Sequence, residues 1–222
     1  MENRREFLKT AFEFLTGMGL LFSPVLSVLR KAYAKAQKVI LPNNTTRQSL
    51  VHMNPSTLDT RNLNITPLNN FSTMGLSDFE VDLDDWRLEI TGHVNMPLAL
   101  TYSQISTLPS VERNVLLICP GFFANHGRWK GISMGKLLET AKMKKGVTHV
   151  TFSGQNGGSE RVERFPIEDI LSDKVFLAYG VNGETLPKEH GFPLRVVAEG
   201  YYGDDWLKYV YKVKLERRAQ DS

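Results

Sequence analysis

His190-Gly191-Phe192-Pro193-Leu194-Arg195-Val196-Val197, followed two residues later by Gly200-Tyr201-Tyr202-Gly203-Asp204-Asp205-Trp206-Leu207-Lys208, is the most informative stretch of this 222-residue chain. A histidine, an arginine and a lysine are set around glycine- and proline-containing turns. Such turns aim backbone N–H groups and cations at one place, which suits an anion. The competing reading is a strand–loop–strand whose charges are simply solvated.

Upstream, Val115-Leu116-Leu117-Ile118-Cys119-Pro120-Gly121 carries the only cysteine of the chain. A lone thiol excludes an intramolecular disulfide and a zinc site built from several cysteines. Either it acts as a single thiolate, as a nucleophile or a soft ligand to a metal held mainly by other groups, or it is a small buried hydrophobe. The apolar run predicts a fully buried strand that ends at Cys119, where Pro120-Gly121 break regular structure.

Outward from these two segments, Trp86 to Gly92 alternates as a half-buried strand, and Thr101-Tyr102-Ser103-Gln104 has capping-box spacing for a short helix. Met134, Leu137, Leu138 and Ala141 recur at helical spacing after Ser133, a candidate N-cap. Val147 to Ser153, Val175 to Gly180, Leu194 to Ala198 and Lys208 to Glu216 read as further strands, with Asn182-Gly183 as a hairpin turn. Many short strands with few helices predict a mixed, β-rich α+β domain. It is expected to run over 66–217, after an extended, mostly irregular lead-in at 37–65.

The first 36 residues differ from the rest. Asn3-Arg4-Arg5-Glu6-Phe7-Leu8-Lys9 precedes a largely apolar stretch from Thr10 to Leu29, and Ala32-Tyr33-Ala34 has small-x-small spacing. This order of features is that of a twin-arginine export signal and predicts a periplasmic destination. An uncleaved N-terminal membrane anchor is the alternative outcome of the same segment. The formal charge is +3, but six of the basic residues lie in this segment, leaving the remainder near neutral. That balance excludes a global basic footprint for nucleic acid.

Taken together, Trp86 to Gly92 with Pro97-Leu98, the Cys119 strand, Trp129-x-Gly131, and His190-Gly-x-Pro-x-Arg195 with Tyr202-Gly203 and Lys208 resemble the molybdenum-binding domain of the sulfite oxidase superfamily. The resemblance implies a Mo-molybdopterin cofactor and two-electron oxo transfer. In this likeness Cys119 corresponds to the protein sulfur on molybdenum. His190 and Arg195 match positions that hold the pterin and its phosphate, Lys208 a further cofactor contact, and Asn70 an early one. A thiolate suits such a metal, and Arg and Lys complement a buried phosphate.

The segment after the cysteine departs from the sulfite-oxidising members, which carry an arginine there. Here Cys119-Pro120-Gly121-Phe122-Phe123-Ala124-Asn125-His126 holds none before Arg128. Its spacing to Trp129 is similar to that of periplasmic methionine sulfoxide reductase catalytic subunits, with Gly121 and Gly154 standing where those have an acidic residue and a threonine. The implied substrate is a sulfoxide or another weakly charged small molecule. Sulfite dehydrogenation and a non-catalytic binding module of the same fold are the alternatives. His126 is a candidate catalytic proton donor or substrate contact, its competing reading a solvated loop histidine. A cysteine hydrolase would need His126 or His190 as base. With no haem attachment motif in the chain, electrons are expected to pass to or from a periplasmic or membrane cytochrome or other haem protein.

Overall fold

The computed structural model describes residues 38–156 and 158–217. The export segment read at 1–36 lies outside the described residues. From Ile40 onward the chain forms one unit. The strands of its two main sheets are β1 (Leu88–Gly92), β2 (Leu98–Leu100), β3 (Ser110–Cys119), β4 (Phe123–Ile132), β5 (Val147–Asn156), β6 (Ser159–Pro166), β7 (Val175–Val181), β8 (Glu184–Thr185), β9 (Arg195–Ala198) and β10 (Val210–Arg217). Four short helices, α1 (Arg47–Leu50), α2 (Tyr102–Ser106), α3 (Met134–Thr140) and α4 (Ile167–Leu171), accompany them. The class is therefore the expected β-rich α+β. Among the described residues no helix is long and apolar enough to cross a membrane.

Two sheets share one core. The first runs β8-β7-β4-β3, with β9 added on β7; the second runs β2-β1-β10-β5-β6. All pairings are antiparallel except β10 on β1, where Val213 lies opposite Ile90. Leu88, Ile90, Phe152 and Val213 from the second sheet belong to one buried cluster with Val115, Trp129, Phe176 and Leu177 from the first, all at most 1% exposed. Each such large apolar side chain contributes about 1.5–3 kcal/mol of burial free energy.

The β3–β4 hairpin has two covered faces. Val115 and Leu117 point into the main core, while Leu116, Ile118 and Ala124 belong to a second cluster with Leu41, Leu50, Val51, Leu58 and Leu63. The lead-in expected to be extended is thus folded onto the back of this hairpin, through α1 and a helical turn at Pro55–Thr57. Its leucines supply the apolar cover that a continuous hydrophobic strand needs on its second side.

At the local level, Thr101 caps α2 in a complete capping box with Gln104. Asn182 (φ 55°) and Gly183 (φ 89°) form the tight β7–β8 turn. Ser133 precedes α3 but makes no side-chain cap bond; Asp173 replaces it. One Asp173 oxygen accepts the Met134 N–H at 2.7 Å and the other the Ser133 hydroxyl at 3.0 Å. In β10 a register shift between Val210 and Lys212 turns Tyr211 out of the core side expected from simple alternation.

Asp173→Ala is expected to lose about 1 kcal/mol or more of stability, because it removes the carboxylate cap of α3 and leaves a left-handed backbone (φ 50°) on a β-carbon-bearing residue. Asp173→Asn, which keeps an acceptor and tolerates that backbone, should lose less. Urea midpoints of the two variants measure the difference.

Candidate active site

Cys119 closes β3, and the chain reverses through Cys119-Pro120-Gly121-Phe122. The Phe122 N–H donates to the Cys119 carbonyl at 3.1 Å. Gly121 takes φ +77°, the third-position requirement of a type II turn, with proline in second place as that turn prefers. Alternation along β3 and β4 then puts Leu117, Cys119, Phe123 and Asn125 on one face. This face borders a cleft of about 260 Å³.

Arg195, at the start of β9, and Trp206 and Lys208, from the segment after it, line the same cleft. β9 is buried throughout and pairs Arg195 with Ala178 of β7. Gly191 (φ +106°) lets the preceding turn fold tightly; a β-carbon there would stand 2.9 Å from Lys208 Cγ and 3.2 Å from Arg195 Cβ. The Arg195 guanidinium lies beside two indoles that meet edge to face, 5.1 Å from the Trp129 ring and 5.5 Å from that of Trp206. It donates to the His190 carbonyl at 3.0 Å and the Trp206 carbonyl at 3.5 Å.

The charge balance of this pocket floor is unusual. Arg195 is 5% exposed, yet no carboxylate pairs with it among the described residues, and its Nε has no hydrogen-bond partner. Burial lowers Arg195 to about 10, and burial with the Arg195 charge lowers Lys208 to about 8. Lys208 Nζ meets only neutral oxygens: Thr73 Oγ1 at 3.2 Å, the Glu189 carbonyl at 3.0 Å, and the Leu76 carbonyl. Trp206 Nε1 is a second buried donor without a partner. Unpaired donors and cations out of water cost several kcal/mol unless a ligand satisfies them. The donor set therefore fits an anionic group such as the phosphate of a pterin cofactor. On the rim, one sulfur is what this chain offers a metal: among the described residues no cluster of three His, Cys, Asp or Glu is placed to hold one.

The predicted site residues separate on this geometry. Cys119, Arg195 and Lys208 meet in the cleft. His190 stands behind Arg195, 4% exposed, with its ring edge-on to Phe71 at 5.6 Å; burial and the Arg195 charge lower it to about 4. Asn70 is exposed and does not line the cleft; its carbonyl accepts from Arg47 Nη1 at 2.9 Å. The wall is made instead by Ser72 to Leu76, two residues further on. His126 does not reach the cleft either. It is one step along β4 from Asn125, so its ring lies on the opposite face, facing α1 and Asn64. Neither histidine offered as a base for a cysteine hydrolase lines the cleft.

Two contributors, Asn125 and Arg161, escaped the sequence reading. Asn125 clamps the Ser72 loop, accepting the Ser72 N–H at 3.1 Å and donating to its carbonyl at 2.7 Å. Arg161 of β6 reaches the mouth but is held by Glu163 at 2.8 Å and by the Asp204 carbonyl. Asp204 also lines the mouth; burial, then this carboxylate, pushes the Cys119 thiol up. Arg128, the first arginine after the cysteine, turns instead to Glu112 at 3.6 Å. At Gly154 a β-carbon would stand 2.4 Å from the Lys208 carbonyl, so no side chain fits there.

The family described as the oxidoreductase molybdopterin binding domain matches residues 75–222, and the chain belongs to it. Its cofactor is the Mo-molybdopterin expected from the sequence. Among curated relatives, the protein-methionine-sulfoxide reductase catalytic subunit MsrP of Gluconobacter oxydans is 28% identical over 68% of this chain and 55% of its own length. The NADH nitrate reductase of Lotus japonicus is 29% identical over 62% of this chain and 19% of its own. The sulfane dehydrogenase SoxCD of Paracoccus pantotrophus superposes with a TM-score of 0.59 at 28% identity, over 65% of this chain and 41% of that one. The chain thus spans about half the length of the first relative and much less of the second.

The depressed His190 gives a pH test. The unfolded histidine titrates near 6.5 and the folded one near 4, so below 6.5 protons favour the unfolded chain. Its neutral form stabilises the fold fully above pH 6.5, and that contribution falls as pH drops towards 4. Urea midpoints at pH 7.5 and 5 should therefore differ more for the natural protein than for His190→Gln.

Proposed function

We propose that this chain is the cofactor-holding catalytic unit of an exported oxidoreductase that acts on a neutral or weakly charged substrate, a sulfoxide being the leading class. The observation that carries the reading is the cleft itself, where a buried guanidinium without a carboxylate and the only cysteine face the same space. When bound, the cofactor supplies two-electron redox chemistry with transfer of an oxygen atom.

The chain's own residues divide the work. Arg195, beside the edge-to-face pair Trp129 and Trp206, and Lys208 hold the anionic end of the cofactor, with His190 behind Arg195 keeping a neutral ring there. Cys119 supplies sulfur to the metal, and the Pro120-Gly121 turn fixes where that sulfur stands. Asn125 ties the Ser72–Leu76 loop to β4 and so sets one wall. Phe123 keeps the wall next to the sulfur apolar and limits water.

The preference against sulfite rests on the mouth. Arg161 is neutralised by Glu163, and Asp204 adds a negative charge near Cys119. A small dianion would be desolvated there beside a carboxylate, and the arginine at the mouth is already paired. Relatives named for methionine sulfoxide, nitrate and sulfane show that one scaffold accompanies several substrates. Export rests on the Arg4-Arg5 segment, and electron exchange with a haem partner on the lack of a haem attachment motif in this sequence.

Two measurements test this. Metal and pterin analysis should find the cofactor in the natural protein and, in Arg195→Gln, a content lower by about tenfold or more, since a buried charged hydrogen bond is worth roughly 1.5–3 kcal/mol. Cys119→Ser should keep the pterin and lose the metal's redox signal. Secondly, sulfoxide-dependent oxidation of a reduced dye should exceed sulfite-dependent dye reduction; the opposite order would make the protein a sulfite dehydrogenase.

A further inference from the structure

A second pocket of about 260 Å³ lies on the other face of the β3–β4 hairpin, away from Cys119. Asn43, Asn44, Thr45, Arg47, Asn64 and Thr66 give it polar walls, over an apolar base of Leu50, Leu63 and Pro67. No carboxylate lines it.

His126 belongs to this pocket and is 2% exposed. Its Nδ1 lies 3.2 Å from the Asn64 carbonyl, which can only accept, so the ring proton is on Nδ1. Nε2 is then a lone-pair acceptor, and it is buried with no partner. Burial lowers the histidine, which keeps this acceptor form at neutral pH. The backbone around it is fully engaged: the His126 N–H donates to Thr66 Oγ1 at 3.1 Å, and its carbonyl accepts the Thr66 N–H at 2.8 Å. The ring is thus held in place with one unmet demand, for a donor. At the rim, Arg47 uses Nη1 on the Asn70 carbonyl at 2.9 Å, and no carboxylate pairs with it among the described residues.

We propose that this pocket is a second binding site, for a small hydroxylated anion, whose hydroxyl donates to His126 Nε2 and whose charge is met by Arg47. The amides of Asn43 and Asn44 complement further oxygens of such a ligand, while the Thr45 hydroxyl already donates to the Pro42 carbonyl at 2.7 Å. A single water fills only about 30 Å³ and leaves most of the pocket open. A carboxylate and a phosphate satisfy Arg47 equally well, so the shared chemistry is an anionic head with a hydroxyl donor. The site is independent of the Cys119 cleft and of the reaction proposed for it.

The test uses the full-length, cofactor-loaded protein, with glycerate and glycerol 3-phosphate as the carboxylate and phosphate probes. Propionate, which lacks the hydroxyl, and glycerol, which lacks the charge, are the controls. Calorimetry should show one or both probes binding about tenfold or more tighter than either control, as expected for one good hydrogen bond or ion contact in a confined site. The Nε2 resonance of His126 should shift on saturation. His126→Phe and Arg47→Gln should each weaken binding by about the same factor, and because Arg47 is exposed its replacement leaves the fold intact. Equal binding of probes and controls, an unmoved Nε2 resonance, or a crystal structure with a water on Nε2 that neither probe displaces would overturn the proposal.

Discussion

A guanidinium buried without a counter-charge is the constraint around which this structure is arranged. Arg195 sits against two indoles that meet edge to face, and each indole is fixed by something else: Trp129 through Nε1 to the Val115 carbonyl at 3.1 Å, Trp206 by the turn that begins at Gly203. Stacking offsets part of the desolvation, but aromatic faces do not replace a carboxylate. The segment from His190 to Lys208 accordingly brings two cations to one space, with the His190 ring behind Arg195, and among the described residues every oxygen to which these cations donate is a carbonyl or a hydroxyl. An arrangement of that kind is favourable only with an anion present.

The β3–β4 hairpin is the second organising element. With both faces covered, it divides two environments by alternation alone. One face carries the cysteine, Phe123 and the Asn125 clamp; the other carries Leu116, Ile118, Ala124 and His126. Residues adjacent in the chain therefore serve different spaces, and sequence proximity to Cys119 says nothing about proximity in the site.

This explains which parts of the molecule were legible in the sequence. The His190–Lys208 block was readable because its glycines, prolines and charges act locally, within about one turn of each other. Cys119 was readable because it is alone and ends an apolar run. β4 was not, since Asn125, His126 and Arg128 interrupt any apolar pattern; their polar groups are satisfied by Ser72, Asn64 and Asn182, partners 53 to 62 positions away. His126 was consequently read as part of a loop at the cleft. Asn70 failed for a related reason: the wall is fixed by Asn125 holding Ser72, and no local signal marks where that clamp falls. The capping of α3 by Asp173 is likewise non-local, while Thr101 and Gln104 cap α2 within four residues and were evident.

The self-repelling floor of the cleft also bears on how the protein is assembled. The Arg195 charge depresses Lys208, so the protein without its anion carries an electrostatic cost that the loaded protein does not. Ligand affinity is then also folding free energy, and loading raises stability by mass action. Heat resistance and resistance to proteolysis become gauges of cofactor content, and a proofreading step that samples transient unfolding would distinguish filled from empty protein without ever contacting the cofactor.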